Sequence, residues 1–288
     1  MKNPKTETKI PKTSALTADQ QRLFLENGFI KVPNAIPKAV VDEWLSSVWT
    51  RAGVDINRRK TWPRGGKFLD FTRTGLIKDL APDLWALICD LVGGEDRIDQ
   101  PEKHTISDSF LLNFPLTKAE RAKVEGTEEA KKMAHLKTWH KDFDQTQKHF
   151  LDSREAGLLA FVLWTPTDGE GQGATEMALD SIAGMAKVLR DAPEGLMTKE
   201  MPISDIGDQG RHEVALGDSG TVYLVHPYMI HRSAWNISDK PRVMTNRTIA
   251  LKELCFDRPA SEGYSPVELA VLQGLGVKRL KFRRAVLA

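Results

Sequence analysis

Three residues of this chain carry the donor atoms of a metal centre at a suggestive spacing: His140 and Asp142, two apart, and His231 ninety-one positions beyond His140. A His and an Asp two apart point to the same side of an extended backbone. A second imidazole from a distant strand completes two neutral nitrogens and one anionic oxygen. That set holds ferrous iron on one face and leaves coordination positions open. Arg242, eleven residues after His231, offers a guanidinium that can grip a carboxylate with two parallel hydrogen bonds.

His-x-Asp alone says little, because about one chain in two of this size contains it by chance, and its plain alternative is a surface ion pair. The surroundings add weight. Trp139 precedes the pair and an apolar segment, 157–164, follows it. Gly173-Ala174-Thr175 marks a turn into another strand, Gly217-Asp218-Ser219-Gly220 introduces the run 221–226, and Pro241-Arg242 opens a further strand. Rival donors exist. Asp144 shares the face of Asp142 but lies about 7 Å along a strand. His226 lacks the His-Arg-Ser context of His231. Arg247 competes with Arg242, its other readings being a salt bridge or a substrate contact. His104, His135, His149 and His212 read as surface or hydrogen-bonded structural imidazoles, and Trp44, Trp49, Trp62 and Trp85 as core. Trp139 and Trp164 could line a pocket or pack. Arg64, Lys67 and Arg73, near a glycine pair, read as a solvated face.

The elements that must position these groups show in the pattern. Thr17 and Gln20 have capping-box spacing at the start of a helix over 17–27 that Gly28 ends. A short strand follows at 29–33, then a second helix from 38 to about 51 with Pro37 at its start. Residues 61–71 hold Pro63, Gly65 and Gly66 and read as a loop, and 83–91 as a helix. From 106 onward short segments rich in branched and aromatic residues, 109–114, 157–164, 212–216, 221–226 and 244–251, are separated by turn signals. The charged stretch 117–132 reads as an exposed helix or insertion, and 181–190 and 266–272 as helices. Helices followed by many short strands predict an α+β chain, mainly β: an antiparallel double sheet decorated by helices. No phosphate loop or dinucleotide fingerprint occurs.

Bulk properties fit an ordinary globular protein of one large domain or two, read here as one: 288 residues, 41% hydrophobic, 28% charged. A net charge of +2 gives no reason to expect nucleic acid or a membrane surface as partner. No apolar run approaches a spanning helix. The basic start lacks the apolar core of a secretory signal and reads as a disordered leader over residues 1–15. Cys89 and Cys255 form no disulfide framework or zinc spacing, so a reducing, cytoplasmic setting is expected. Oligomeric state is not legible.

The order of these segments resembles the phytanoyl-CoA dioxygenase family of iron(II)- and 2-oxoglutarate-dependent oxygenases. The opening LTADQQRLFLENGFIKVPNAIPKAVVDEW is similar to its N-terminal helix, strand and second helix; WHKDFD is similar to its first metal motif and HRSAWNISDKPR to its second. The likeness runs from about residue 16 to residue 252. It implies a double-stranded β-helix (jelly-roll, cupin-like) core over 105–255, with a helical part at 16–100 and a C-terminal helix and tail at 256–288. It implies His140, Asp142 and His231 as iron ligands, Arg242 on the distal carboxylate of 2-oxoglutarate helped by Ser233, with Asn113 and Trp164 beside the cosubstrate. The reaction implied is hydroxylation of a small organic molecule, using O2 and converting 2-oxoglutarate to succinate and carbon dioxide. Desaturation, epoxidation or ring closure at the same metal, or a metal-binding small-molecule sensor, are the alternatives. One departure is that Ala178-Leu179-Asp180-Ser181 stands where many relatives have Pro-Gly-Ser-His, so their substrates do not transfer. Asp142 argues against halogenation, which needs that ligand position open.

Overall fold

The structure is a computed structural model that describes residues 14–124, 139–169, 171–259 and 261–285. His135 and residues 125–132 of the charged stretch 117–132 lie outside the described residues; within the rest, Lys118–Val124 is a helix.

The first helix, Ala18–Asn27, begins at the expected capping box, with Thr17 and Gln20 satisfying each other's backbone N–H, and ends at Gly28 in the left-handed conformation. The residues before it are not wholly a free leader. Ser14 Oγ and the N–H groups of Ala15 and Leu16 all donate to Asp90 Oδ2, at 2.6–2.9 Å. Strand β1 (Phe29–Val32) follows. The single helix expected from 38 to about 51 is two, Lys38–Leu45 and Val48–Ala52. Ser46 Oγ bonds back to Glu43 O at 2.6 Å, a local competitor for helical hydrogen bonding that breaks the run. The expected loop at 61–71 contains an edge strand, β2 (Gly66–Phe68). Then come β3 (Thr74–Leu76), the helix Pro82–Val92, β4 (Thr105–Ser107) and β5 (Leu111–Asn113). The remaining strands are β6 (Leu158–Leu163), β7 (Thr175–Ala178), β8 (His212–Val214), β9 (Thr221–Val225), β10 (Ile230–Ser233) and β11 (Arg242–Ile249). Among the described residues no helix is long and apolar enough to cross a membrane.

Nine of the eleven strands form two facing antiparallel sheets, and β3 and β4 pair in a third, two-stranded one. The larger has the order β1-β9-β6-β11-β5-β2, the smaller β10-β7-β8. His140 adds to the smaller sheet's edge through an isolated antiparallel bridge with His231. From β5 onward the chain therefore alternates between sheets: β5 large, residue 140 small, β6 large, β7 and β8 small, β9 large, β10 small, β11 large. The N-terminal part is not a separate helical unit, because β1 and β2 supply both edges of the large sheet.

The central strand β6 is buried at all six positions, as its unbroken apolar run LLAFVL demands of a strand covered on both faces. One face meets the small sheet. The other is covered by the N-terminal helices, where Trp44 stacks on Trp164 with ring centroids 5.2 Å apart and Phe110 meets Trp164 edge-on at 5.3 Å. Asp108, fully buried, ties the preceding loop to this layer. It accepts hydrogen bonds from the Thr72 and Arg73 N–H groups at 2.6 and 2.8 Å and from the Thr72 hydroxyl, and pairs with Arg51 at 2.7 Å. Burial by itself raises its pKa. The Arg73 and Thr72 N–H donors, the Thr72 hydroxyl and the Arg51 charge outweigh burial and hold the carboxyl below its usual range.

The linkage sign follows from that depression. The stabilisation is present above the unfolded carboxyl value of about 3.9 and is lost as pH falls through the lower folded value. Asp108→Asn is expected to cost roughly 2–3 kcal/mol at neutral pH, the scale of a hydrogen-bonded buried charge. It should also flatten the acid limb of stability against pH. Urea denaturation of both proteins at pH 7 and near pH 3.5 measures this, and an equal cost at both values contradicts it.

Candidate metal centre

The backbone builds this site. The N–H of His140 donates to His231 O at 3.0 Å, and the N–H of His231 returns to His140 O at 2.9 Å. Directly opposed residues of an antiparallel pair point to the same face, and here the imidazole centroids are 4.4 Å apart. Asp142, two residues on, brings its carboxylate to the same side. Its Oδ1 lies 3.8 Å from His140 Nε2 and its Oδ2 3.3 Å from His231 Nε2. One donor atom from each of the three residues falls within 4.8 Å of the others.

Lys141, between the two candidate ligands, points the other way and is buried. Its ammonium lies 4.9 Å from the Phe143 ring, 5.5 Å from the Tyr228 ring and 3.3 Å from His149 Nδ1. Burial pushes the lysine down to about 8 against the pull of Asp142 and Glu155, and burial with the lysine's charge pushes His149 down to about 3. His149 is thus a neutral acceptor. On the other flank Trp139 donates to Asp208 Oδ1 at 2.6 Å, and the Arg232 guanidinium sits 3.9 Å from its ring. These contacts fix which side of the segment faces inward.

His231 has its tautomer decided by its neighbours. Its Nδ1 is 3.1 Å from Met229 O, and since a carbonyl only accepts, Nδ1 carries the proton. Nε2 then faces Asp142 Oδ2 with a lone pair. Two acceptors at 3.3 Å repel unless a cation or a second proton lies between them, so the donor set fits a divalent metal ion. Asn246 Nδ2 donates to the same Oδ2, leaving Oδ1 to turn toward His140. Burial would raise the Asp142 carboxyl. With both imidazoles protonated and no metal bound, the charge and hydrogen bond of His231, the charge of His140 and the Asn246 amide outweigh burial and hold the carboxyl below the usual range; with neutral rings a cation takes their place.

The rival donors are accounted for. Asp144 is exposed and accepts from Thr146 N, Thr146 Oγ1 and Gln147 Nε2 in a local turn. His226 is fully buried, accepts at Nδ1 from Tyr228 N–H and donates from Nε2 to Val267 O, so both nitrogens are used. His104 and His212 donate to the carbonyls of Asp99 and Gly207.

Arg242 opens β11, and positions 242, 244 and 246 share one face at the two-residue strand period. The row therefore runs from the guanidinium, past Met244, to the amide that holds Asp142. Arg242 is buried and donates from Nη1 to Met244 Sδ, while its Nε has no hydrogen-bond partner. None of the described carboxylates pairs with it, and burial lowers its pKa to about 10. It lines a cavity of about 320 Å³ together with Ser233, Asn113, Lys67, Leu112 and Phe68. Ser233 lies two residues from His231 on β10 and so on the same face. An unpaired buried guanidinium is costly, which fits an anionic ligand in this cavity.

One expected cosubstrate contact needs correction and a second is narrowed. Trp164 is fully buried on the far face of the large sheet, its indole N–H donating to Thr245 Oγ1 at 2.9 Å between Trp44 and Phe110; it is a packing residue. Asn113 does line the Arg242 cavity, but its amide nitrogen is committed to Ala234 O at 2.9 Å and Gly173 O at 3.3 Å. With only its oxygen left, it cannot donate to a carboxylate. Gly173, at φ 69°, permits this clamp: a Cβ there would stand 2.2 Å from Asn113 Nδ2. Arg247 projects to the opposite face of β11 from Arg242, as alternation requires. Of the basic residues near the glycine pair, Arg64 and Arg73 pair with Glu120 and Asp108, and Lys67 donates to Ala52 O. Asn246 was missed in the sequence, although counting by twos from Arg242 along one strand reaches it.

No protein-family model matches this chain, and no curated protein matches it. Among solved structures the chain is similar to the non-heme alpha ketoglutarate dependent carbocyclase SnoK from nogalamycin biosynthesis, at 14% identity over 83% of this chain and 86% of that one, with a TM-score of 0.47. It is similar to HygX from Streptomyces hygroscopicus with nickel, 2-oxoglutarate and hygromycin B bound, at 13% identity over 82% and 88%, TM-score 0.44. It is also similar to EctD from S. alaskensis in its apoform, at 17% identity over 86% and 81%, TM-score 0.49.

Asn246→Ala removes the group that steers Asp142 without removing a ligand. Loss of such a supporting contact is expected to weaken divalent-metal binding about 10–100-fold. Competition with a chelator of known affinity measures it, and wild-type affinity in the variant contradicts the role.

Proposed function

We propose that this chain is an iron(II)- and 2-oxoglutarate-dependent oxygenase of the phytanoyl-CoA dioxygenase type, built on a double-stranded β-helix, that hydroxylates a small organic molecule. The observation that carries the reading is the pairing of two features. Two imidazoles and one carboxylate converge on a common point, and a buried guanidinium without a carboxylate partner among the described residues lies on the strand that also supplies Asn246. The alternation of β5 to β11 between two facing sheets supports the β-helix.

Ferrous iron held by His140, Asp142 and His231 supplies the redox chemistry by which one oxygen atom of O2 enters succinate, with loss of carbon dioxide from 2-oxoglutarate, and the other enters a substrate C–H bond. The chain's own residues do the rest. Met229 O keeps the His231 proton on Nδ1, so Nε2 stays a donor to metal. Asn246 orients the carboxylate. Arg242, helped by Ser233, takes the distal carboxylate of the cosubstrate by a charge-assisted contact. The buried side chains of Phe161, Leu163, Met177 and Met244 wall the space between the sheets and keep water out.

Succinate is expected to form from 2-oxoglutarate only when Fe(II) and O2 are both present. The substitutions His140→Ala, Asp142→Ala and His231→Ala should each abolish it with the fold retained. Arg242→Met, which removes an unpaired buried charge, should leave the ligand-free protein at least as stable. It should raise the 2-oxoglutarate requirement about 10–100-fold, the equivalent of roughly 1.5–3 kcal/mol for a lost charged hydrogen bond. Thermal shift adds a readout separate from turnover: 2-oxoglutarate should stabilise the wild type and not the variant. Wild-type protein that binds iron and 2-oxoglutarate but releases no succinate with any substrate tested would replace this reading with a sensor.

A further inference from the structure

Strand β11 outruns one of its neighbours. β6 pairs with it as far as Ile249, whereas β5 on the other side pairs only with Arg242–Met244. Beyond Met244, on the side where β5 has ended, a notch of about 360 Å³ opens between β11 and the segment Lys103–Thr105. Asp142 and Asn246 form its inner wall, and Arg247, Thr248, Lys103 and His104 are among its other lining groups. It shares no lining residue with the Arg242 cavity. A molecule in the notch therefore meets the metal centre from the Asp142 side without displacing what Arg242 holds.

The charge of the notch is one-sided. Its single carboxylate is Asp142, which the two imidazoles already engage. Arg247 donates from Nη2 to Ser109 Oγ at 2.8 Å, but its Nε is buried with no hydrogen-bond partner, and no described carboxylate pairs with it. Lys103, exposed at the rim, likewise has no partner carboxylate among the described residues. A part-buried guanidinium with an unused donor calls for an acceptor that the described protein does not provide. A planar fork suits carboxylate or phosphate best. The volume lies at the low end of ligand cavities, which run from roughly 300 to 1,000 Å³, so the guest is small.

The geometry points to the notch as the site of the primary substrate, and to that substrate as a small organic anion, carboxylate or phosphate, anchored by Arg247 with Lys103 at the rim. Held by its acidic end, such a molecule presents its carbon skeleton to the Asp142 side of the metal. That the guest is the molecule oxidised rests on the oxygenase reading above; the anion site stands on the charges of the notch.

The test is calorimetric titration of the full chain, loaded with Fe(II) and saturating 2-oxoglutarate without O2, using benzoate and phenyl phosphate against neutral benzyl alcohol. At least one anion should bind, about tenfold or more tighter than the alcohol, and which one binds separates carboxylate from phosphate. Arg247→Gln should weaken that binding about 10–100-fold and Arg247→Lys less. Lys103→Glu, at an exposed position that leaves packing untouched, should weaken it by a factor that shrinks as salt is raised. Failure of both anions to bind, or equal binding of the alcohol, overturns the inference. So does wild-type affinity in a folded Arg247→Gln protein; if that variant does not fold, unchanged affinity in both Arg247→Lys and Lys103→Glu decides against it. Succinate release under O2 separates the two claims. Anion binding that depends on Arg247 in a protein that never releases succinate removes the oxygenase reading and keeps the anion site. Succinate release with binding indifferent to Arg247 does the reverse.

Discussion

The two backbone hydrogen bonds between His140 and His231 are the constraint on which this molecule's chemistry depends. They join a segment of little regular structure to the edge of the small sheet and set its register to the residue. A slip of one position would turn His140 and Asp142 outward and Lys141 inward, because neighbouring side chains in an extended segment face opposite ways. The contacts on either side oppose that slip. Lys141 is held between aromatic rings and a neutral imidazole, and Trp139 is held between Asp208 and Arg232. An outward-facing anchor on each side of a ligand makes the inward direction of the ligand the only comfortable one.

A second constraint is electrostatic. Two guanidinium groups on opposite faces of β11, one buried and one part-buried, lack a described carboxylate partner. Elsewhere the chain shows that it can satisfy buried cations. Arg258 meets Glu268 at 2.7 Å, and Arg51 meets Asp108 at 2.7 Å. Arg242 and Arg247 differ in having donors left over. Unmatched charge near the core lowers the stability of the ligand-free protein and favours anionic ligands by the same amount of interaction. The two arginines also sit in separate cavities, so two anions can be present at once without competing.

Much of this was legible from residue types. The capping box at Thr17 and Gln20, the left-handed glycine after it and the apolar run of β6 are local signals, and the elements form where those signals stand. The ligand triplet was legible because strand period makes His-x-Asp a same-side pair. Other features were not. The break at Ser46 came from a side chain competing for its own helix's carbonyl, and the edge strand β2 came from pairing with β5, forty-odd residues away. Trp164 could line a pocket or pack by its type alone, and strand parity sends it to the far face, against Trp44. Asn113 stands in the expected cavity with its amide nitrogen already spent on two backbone carbonyls.

What the residues determined unaided was the inventory of donors and the periodicities that orient each along its own segment, since both are properties of local chemistry and of the two-residue strand repeat. Which donors meet was decided only in three dimensions. The choice of Asp142 over Asp144, of His231 over His226, and of Arg242 over Arg247 turns on pairings and burial between segments distant in the chain. Asn246, whose amide reaches Asp142 across 104 positions, is the clearest case. Spacing puts Asn246 on the Arg242 face, but its meeting with Asp142 depends on where two sheets place their facing strands.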